Sequence, residues 1–397
     1  MSNPPVFNYI GGKSNLLPFL QTCIEDYTKK PLNEIKSAID MFSGSGAVSH
    51  MFMTHNIPKV LTNDVQYYSY VMSSSFLKHD IDSHKINKIL RNIESVTLST
   101  EPAGFIEKNY SGSYFTNDNA KKIDTMRKHI SHLFDENTIN EKEHLYLLKC
   151  LLYNVVKVSN VTCVYGSYLK KFKPKALLPI QLRLEKAISD SFIINSSSIQ
   201  KVYNEDVIQF IKNIDTSEIE ICFLDPPYCG RRYDTNYHIL ETIAKNDQPK
   251  LRGKTGLRDE PRKTRFVHKA TCAKEYEELF ALIKSKFVFM CYSSEGVLAE
   301  SEIMLILQKY FVNVKCYKRS YKRVKTHNNN TKDTNNVTEY LFAAVNSDTL
   351  TINAAAEHTE VSCLNINNIF NSTYELTDLV KHHLNKVLCN LSFMNEN

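Results

Sequence analysis

The sequence has no stretch long and apolar enough to cross a membrane or to look like a secretory leader. The longest early apolar patch, Leu16 to Leu20, is short and interrupted by Pro18. It also lacks any CxxC pair, and none of its ten cysteines shares a metal-ligand spacing with a histidine. That argues against a disulfide scaffold and a zinc site, and for free thiols in a reducing cytoplasm; no metal is expected. No internal repeat is visible. A strong charge imbalance is missing too, the formal net charge being only +6, so a charged partner must be sought in local clusters. A chain of 397 residues exceeds what one compact core usually needs, which suggests two domains or one heavily decorated domain.

What is present is a series of short β-branched and aromatic runs separated by long helical stretches, the pattern of an α/β protein with a mostly parallel sheet and crossover helices. The runs are SAIDMF (37 to 42), KVLTNDV (59 to 65), KVYNEDV (201 to 207), IEICFLD (219 to 225), FVFMCYS (287 to 293), VNVKCYK (312 to 318) and VTEYLFAAV (337 to 345). The gap between the second and third is too long for one crossover, so residues 72 to 198 are expected to form an inserted helical domain.

Several runs end in an acid. The first continues as DMFSGSGA, Asp40 to Ala47, where Gly44 and Gly46 would let the backbone approach a ligand at the carboxyl end of a strand. A full dinucleotide fingerprint would put a third glycine at position 49, which is Ser49. Asp64 ends the next run 20 residues after Gly44, where a carboxylate can accept from both hydroxyls of a ribose. Asp206 ends the third; a helix N-cap is the competing reading for either acid. Near the N-terminus, YIGGK contains a Gly-Lys-Ser, but Phe7 stands where a phosphate loop needs glycine. Gly11 and Gly12 can still make a tight turn that offers Lys13 to a small anion.

The fourth run leads into Asp225-Pro226-Pro227-Tyr228. With this motif in place, the ordered set YIGGK, DMFSGSG, the acids of TNDV and NEDV, and DPPY resembles the Dam-like, D12-class N6-adenine DNA methyltransferases of the alpha arrangement. The resemblance runs from about residue 6 to 345. It takes in SYFTNDNAKKID (113 to 124), SNVTCVYGSYLKKF (159 to 172), TNYHILETIAK (235 to 245) and VTEYLF (337 to 342). It implies a Rossmann-like methyltransferase fold, with residues 1 to 71 and 199 to 345 forming the catalytic domain, 72 to 198 a helical target-recognition insert and 346 to 397 a C-terminal extension. It implies S-adenosylmethionine as donor. Tyr9, Gly11 and Lys13 would contact its amino-acid end, and Asp40, Phe42, Ser43, Gly44 and Gly46 its methionine side. Asp64 would take the ribose and Asp206 the adenine amine, with Val65 or Val207 packed on the ring. Many relatives have Phe or Trp in place of Tyr9, so its aromatic character is kept.

The chemistry of the motif follows from the target. An exocyclic adenine amine is a weak nucleophile because its lone pair is delocalised into the ring. Acceptors on its two N–H groups hold the nitrogen toward tetrahedral geometry. The Asp225 carboxylate is one acceptor and the Pro226 carbonyl the second, aimed by two prolines that fix φ and remove competing donors. Tyr228 offers a face for a flipped base, and flipping is needed because the amine is otherwise paired and stacked.

Basic residues crowd the flanks of this motif and are read as a phosphate clamp: Arg231, Arg232, Lys254 and Arg258 on one side, Lys315, Lys318, Lys322 and Arg323 on the other. Lys121, Lys122, Arg127, Lys128, Lys170, Lys171 and Lys173 lie in the insert. Beyond the resemblance, Ser372 to Leu391 has a capping box and helical apolar spacing, expected to dock on its own domain. The partners implied are double-stranded DNA and a cognate restriction endonuclease; monomer and homodimer both stay open. Two other classes compete. An RNA or protein-amide methyltransferase typically has Asn in place of Asp225 and no long helical insert, and a non-catalytic DNA-binding derivative has no need of the intact Asp225, Tyr228, Lys13 and Asp64.

Overall fold

The computed structural model describes residues 12–74, 82–95, 103–183, 199–228, 233–259, 265–322 and 336–347. Among the described residues there are nine strands: β1 (Ser37–Asp40), β2 (Lys59–Asn63), β3 (Ile199–Tyr203), β4 (Ile221–Leu224), β5 (Leu251–Arg252), β6 (Leu257–Arg258), β7 (Phe287–Ser293), β8 (Val312–Lys322) and β9 (Asn336–Val345). The helices are α1 (Leu17–Thr28), α2 (Ala47–Thr54), α3 (Tyr67–Ser74), α4 (Ser83–Ser95), α5 (Phe105–Tyr110), α6 (Asn117–Asp135), α7 (Glu141–Val158), α8 (Val207–Asn213), α9 (Tyr233–Asn236), α10 (His238–Lys245), α11 (Cys272–Phe280) and α12 (Glu300–Tyr310).

Seven strands form one sheet in the order β3-β2-β1-β4-β7-β9-β8, and only β9 runs against its neighbours. Strands β1, β4 and β7 are buried along their whole length, which is why they read as continuous apolar runs without alternation. One apolar cluster covers each face: Leu20, Ile24, Phe52 and Phe223 on one, Ile39, Phe210, Tyr276 and Met290 on the other.

A third cluster is the helical insert, in which Tyr110, Ile123, Leu147, Leu151 and Tyr165 pack with Tyr68 and Met72 of α3 and with Ile239, Leu240 and Ile243 of α10. The insert boundary expected at residue 72 therefore falls inside a helix shared with this cluster. Helix α7 starts with a reciprocal capping box between Asn140 and Glu143, and Glu143 also meets Lys85 of α4 at 2.8 Å. Contacts gather Met1–Thr349 and Leu350–Asn397 into two separate units. The helix expected at 372 to 391 lies outside the described residues. Among the described residues no helix is long and apolar enough to cross a membrane.

Candidate active site

In a parallel sheet the carboxyl ends of β1, β2 and β4 emerge side by side, and there the chain turns sharply after each. After β1 the turn is held by Ser43 N–H donating to the Asn63 carbonyl at 2.9 Å and Gly46 N–H donating to the Ser43 carbonyl at 2.7 Å. Gly44 and Gly46 have φ of +52° and +80°, a region that side-chain-bearing residues rarely enter, so the backbone bends tightly into α2. Phe42 stands half-buried, edge-on to Phe266.

Asp64 lies just past β2. Its Oδ2 accepts from Gly44 N–H at 2.7 Å and its Oδ1 from Gln66 N–H at 2.8 Å, so one carboxylate ties the glycine turn to the start of α3. Asp40, at the end of β1, is buried. Its Oδ2 accepts from both the backbone and the hydroxyl of Ser49, while its Oδ1 has no hydrogen-bond partner among the described residues. Burial, with the Asp225 and Asp64 charges nearby, pushes the Asp40 carboxyl up to about 7 against the pull of the Ser49 bonds. The serine that breaks the dinucleotide fingerprint thus serves to hold this acid.

Asp225 follows β4 and forms a 2.8 Å ion pair with Lys13, whose side chain is only 4% exposed. Burial would lower the lysine, but the Asp225 carboxylate, joined by Tyr228, Cys291 and Glu339, outweighs it and holds the ammonium charged. Burial raises Asp225 against the same partner. At this separation the ionised pair is the species in place, since losing either charge would leave the other buried alone. Lys13 Nζ also stands 5.6 Å from the centroid of the Tyr228 ring, which is 7% exposed and tilted against Tyr292 at 5.2 Å. The face expected to receive a base is therefore nearly closed. Pro226 is buried and Pro227 partly so.

Lys13, Asp40, Phe42, Ser43, Gly44 and Asp225 line one cleft. Asp206 and Val207 are not among its lining residues. Asp206 is the N-cap of α8, accepting from Ile208 N–H at 3.1 Å, with Arg265 Nε at 3.4 Å; it lies three residues past the end of β3. Val207 is buried in the sheet cluster, and Val65 is half-buried beside Asp64. Tyr9, Gly11, Arg231, Arg232 and Arg323 lie outside the described residues, as does the side chain of Lys322.

The expected phosphate clamp divides. Lys254 and Arg252 are exposed on the β5–β6 hairpin. Arg258, on the same hairpin, is engaged by Asp247 through both terminal nitrogens and by the Thr242 hydroxyl at 3.2 Å, an anchoring contact. Lys315 pairs with Asp26 at 2.9 Å and Lys318 with Glu300 at 2.7 Å. In the insert, Arg127 is buried and donates to the Ile243 and Ala244 carbonyls.

The comparisons with known proteins show the family. The sequence profile of the D12 class N6 adenine-specific DNA methyltransferases matches residues 9–306. The chain belongs to this family. It is 35% identical over 342 residues to the Type II methyltransferase M.NlaIII of Neisseria lactamica, covering 84% of this chain and 98% of that protein. It is 32% identical over 350 residues to the Type II methyltransferase M.FokI of Planomicrobium okeanokoites, covering 84% of this chain and 52% of the relative. Against the Type II methyltransferase M.CviAII of Paramecium bursaria Chlorella virus 1 it is 30% identical, over 84% and 97% of the two chains. The chain thus spans nearly all of two relatives and about half of M.FokI. It is an adenine-specific DNA methyltransferase by family, and a methyl donor is required.

Sequence reasoning missed Ser49 as the holder of Asp40, Asn63 as the holder of the glycine turn, and the hairpin β5–β6. The hairpin is braced from inside. Tyr110 Oη donates to the Gly256 carbonyl at 2.9 Å, Tyr114 Oη lies 3.3 Å from the Thr255 carbonyl, and His238 Nε2 lies 3.0 Å from the same carbonyl.

Proposed function

We propose that the chain transfers the methyl group of S-adenosylmethionine to the N6 amine of an adenine turned out of double-stranded DNA, in the cytoplasm, as the modification partner of a restriction endonuclease. The observation that carries this reading is the single cleft shared by the Asp40 to Gly44 turn and Asp225. A donor bound at the turn and an acceptor held by Asp225 would meet there.

The residues present suit the donor. Asp40 Oδ1, without a hydrogen-bond partner among the described residues, offers an acceptor to an ammonium group, and the positive-φ turn at Gly44 leaves backbone open to close approach. Asp64 is held at the glycine turn by Gly44 and Gln66 N–H, which sets its carboxylate beside that turn, where it would take the ribose hydroxyls. When bound, the donor supplies an activated methyl group. Asp225 then accepts from one N–H of the target amine while the Pro226 carbonyl accepts from the other, and Lys13 keeps Asp225 ionised for that work. Asp206 and Val207 remain the proposed edge of the donor's adenine site, with Tyr9 and Gly11 at its amino-acid end. Lys254, Arg252 and the motif-flanking Arg231, Arg232, Lys322 and Arg323 are the proposed phosphate contacts, with residues 72 to 198 reading the target.

The test is to express the chain in cells free of adenine methylation and read their DNA by methylation-sensitive long-read sequencing. N6-methyladenine at one recurring sequence is expected. Unmodified adenine, or a mark on cytosine, would overturn the proposal. A relative named as a Type II methyltransferase supports the pairing with an endonuclease, which co-expression and restriction challenge would test.

A further inference from the structure

Helix α3 reaches the donor side of the cleft at both ends. At its start, Gln66 N–H donates to Asp64, and at its far end the Ser73 hydroxyl lies 3.3 Å from the hydroxyl of Ser43, in the glycine turn. A helix eight residues long has few internal bonds to fix its direction, and its first N–H groups need acceptors from elsewhere. Asp64 takes one of them. The next two, on Tyr67 and Tyr68, donate at 3.1 and 3.0 Å to Oε1 and Oε2 of Glu241, a residue 173 positions further along the chain on α10. Glu241 is 4% exposed and is itself held at 2.8 Å by Lys245, one turn on.

We infer that Glu241 is a positioning residue for the methyl donor: its carboxylate caps α3 in place and thereby holds Asp64 and the Ser43 turn where the donor binds. A carboxylate at a helix N-terminus is favoured by the helix dipole as well as by the two hydrogen bonds, and both oxygens are used, so an amide cannot replace it fully. The same helix α10 also holds the hairpin tip through His238 and receives Arg127 of the insert at its C-terminal carbonyls. Glu241 therefore joins the donor loop to the element that carries the DNA-facing parts.

The inference rests on the proposed role of Asp64 in donor binding, and the test separates the two. S-adenosylmethionine affinity is measured by calorimetry on Glu241→Ala, Glu241→Gln, Asp64→Ala and Arg127→Met, each first shown to be folded by circular dichroism. Glu241→Ala is expected to weaken donor binding about tenfold and Glu241→Gln by a smaller factor, because one of two capping bonds survives. The single-turnover rate at saturating donor should stay within about twofold in both, a split that loss of the chemical step would not give. Arg127→Met loosens α10 from the insert and should lower the melting temperature without changing donor affinity. If Asp64→Ala loses donor affinity and folded Glu241→Ala and Glu241→Gln do not, the inference fails while the donor site stands. If Asp64→Ala itself binds normally, both fail. Equal loss in Arg127→Met would reduce the effect to general loosening of α10 and overturn it. Should Glu241→Ala not fold, the isosteric Glu241→Gln carries the test alone.

Discussion

Asp40 and Asp225 are both carboxylates at strand ends in the same cleft, and their surroundings set them to different tasks. Asp225 has a cation at 2.8 Å; among the described residues Asp40 has Ser49 on one oxygen and no hydrogen-bond partner on the other. An acid whose folded pKa stands above its unfolded value binds more protons folded than unfolded, so stability falls as pH rises between the two values and then levels off. For Asp40 that window runs from about 4 to about 7, and a shift of this size corresponds to roughly 4 kcal/mol. Asp40→Asn removes the penalty. Without donor, the variant should melt higher than the parent at pH 8 and nearly the same at pH 4.5, while donor binding weakens. A melting difference that does not grow across that range would show that Asp40 is not charged at a cost. Asp225 should behave otherwise. Asp225→Ala removes an acceptor that acts as the amine lone pair reorients, so it should lose roughly 3 kcal/mol or more of transition-state stabilisation with donor affinity largely kept. Single-turnover methylation of an adenine-containing duplex measures it, and a near-parental rate would refute the role given to Asp225.

Among the elements, β1, β4 and β7 were legible because their burial on both faces forces continuous apolar runs, and FVFMCYS coincides with β7 residue for residue. The run at KVYNEDV was placed two residues late, since β3 is an exposed edge with Ile199 and Gln200 at its start and little apolar signal. Hairpin β5–β6 was invisible: strands of two residues carry no period. The strand-end acids announced a site, but which atoms they touch did not, because Lys13 to Asp225 and Glu241 to Tyr67 are contacts between distant parts of the chain. TNYHILETIAK showed family likeness without revealing that His238 and Glu241 face opposite tasks. The hairpin offers a direct check on its bracing. Arg252 and Lys254 are exposed tryptic sites at its tip, yet the tip carbonyls are held by Tyr110, Tyr114 and His238 and the second strand by Arg258. Arg258→Met should unpair Asp247, free β6 and speed limited tryptic cleavage at 252 and 254 severalfold over the parent, since cleavage needs local opening. An unchanged cleavage rate would mean that Tyr110, Tyr114 and His238 hold the hairpin without Arg258.

At the scale of the molecule, a net charge of +6 is modest for a DNA-binding enzyme, so affinity for a polyanion must come from where the cations stand and which are already neutralised. Lys315 and Lys318 belong to a basic-looking run, but each has an acid within 3 Å, Asp26 and Glu300. Arg258 is bound to Asp247. A cation that must first leave an acid releases no DNA counterion for free, whereas Arg252 and Lys254, exposed and without an acidic partner among the described residues, can meet a phosphate directly. Each phosphate neutralised steepens the logarithmic salt dependence of binding by about 0.9, so the double change Arg252→Ala with Lys254→Ala should flatten the slope by about 2. The matched change Lys315→Ala with Lys318→Ala removes the same formal charge from the chain and should leave the slope nearly unchanged. Filter binding of both variants to one duplex across a salt series compares them at equal net charge. If the two slopes fall together, total charge governs affinity and the hairpin holds no special place on the DNA; if only the first falls, the clamp lies where the unpaired cations are.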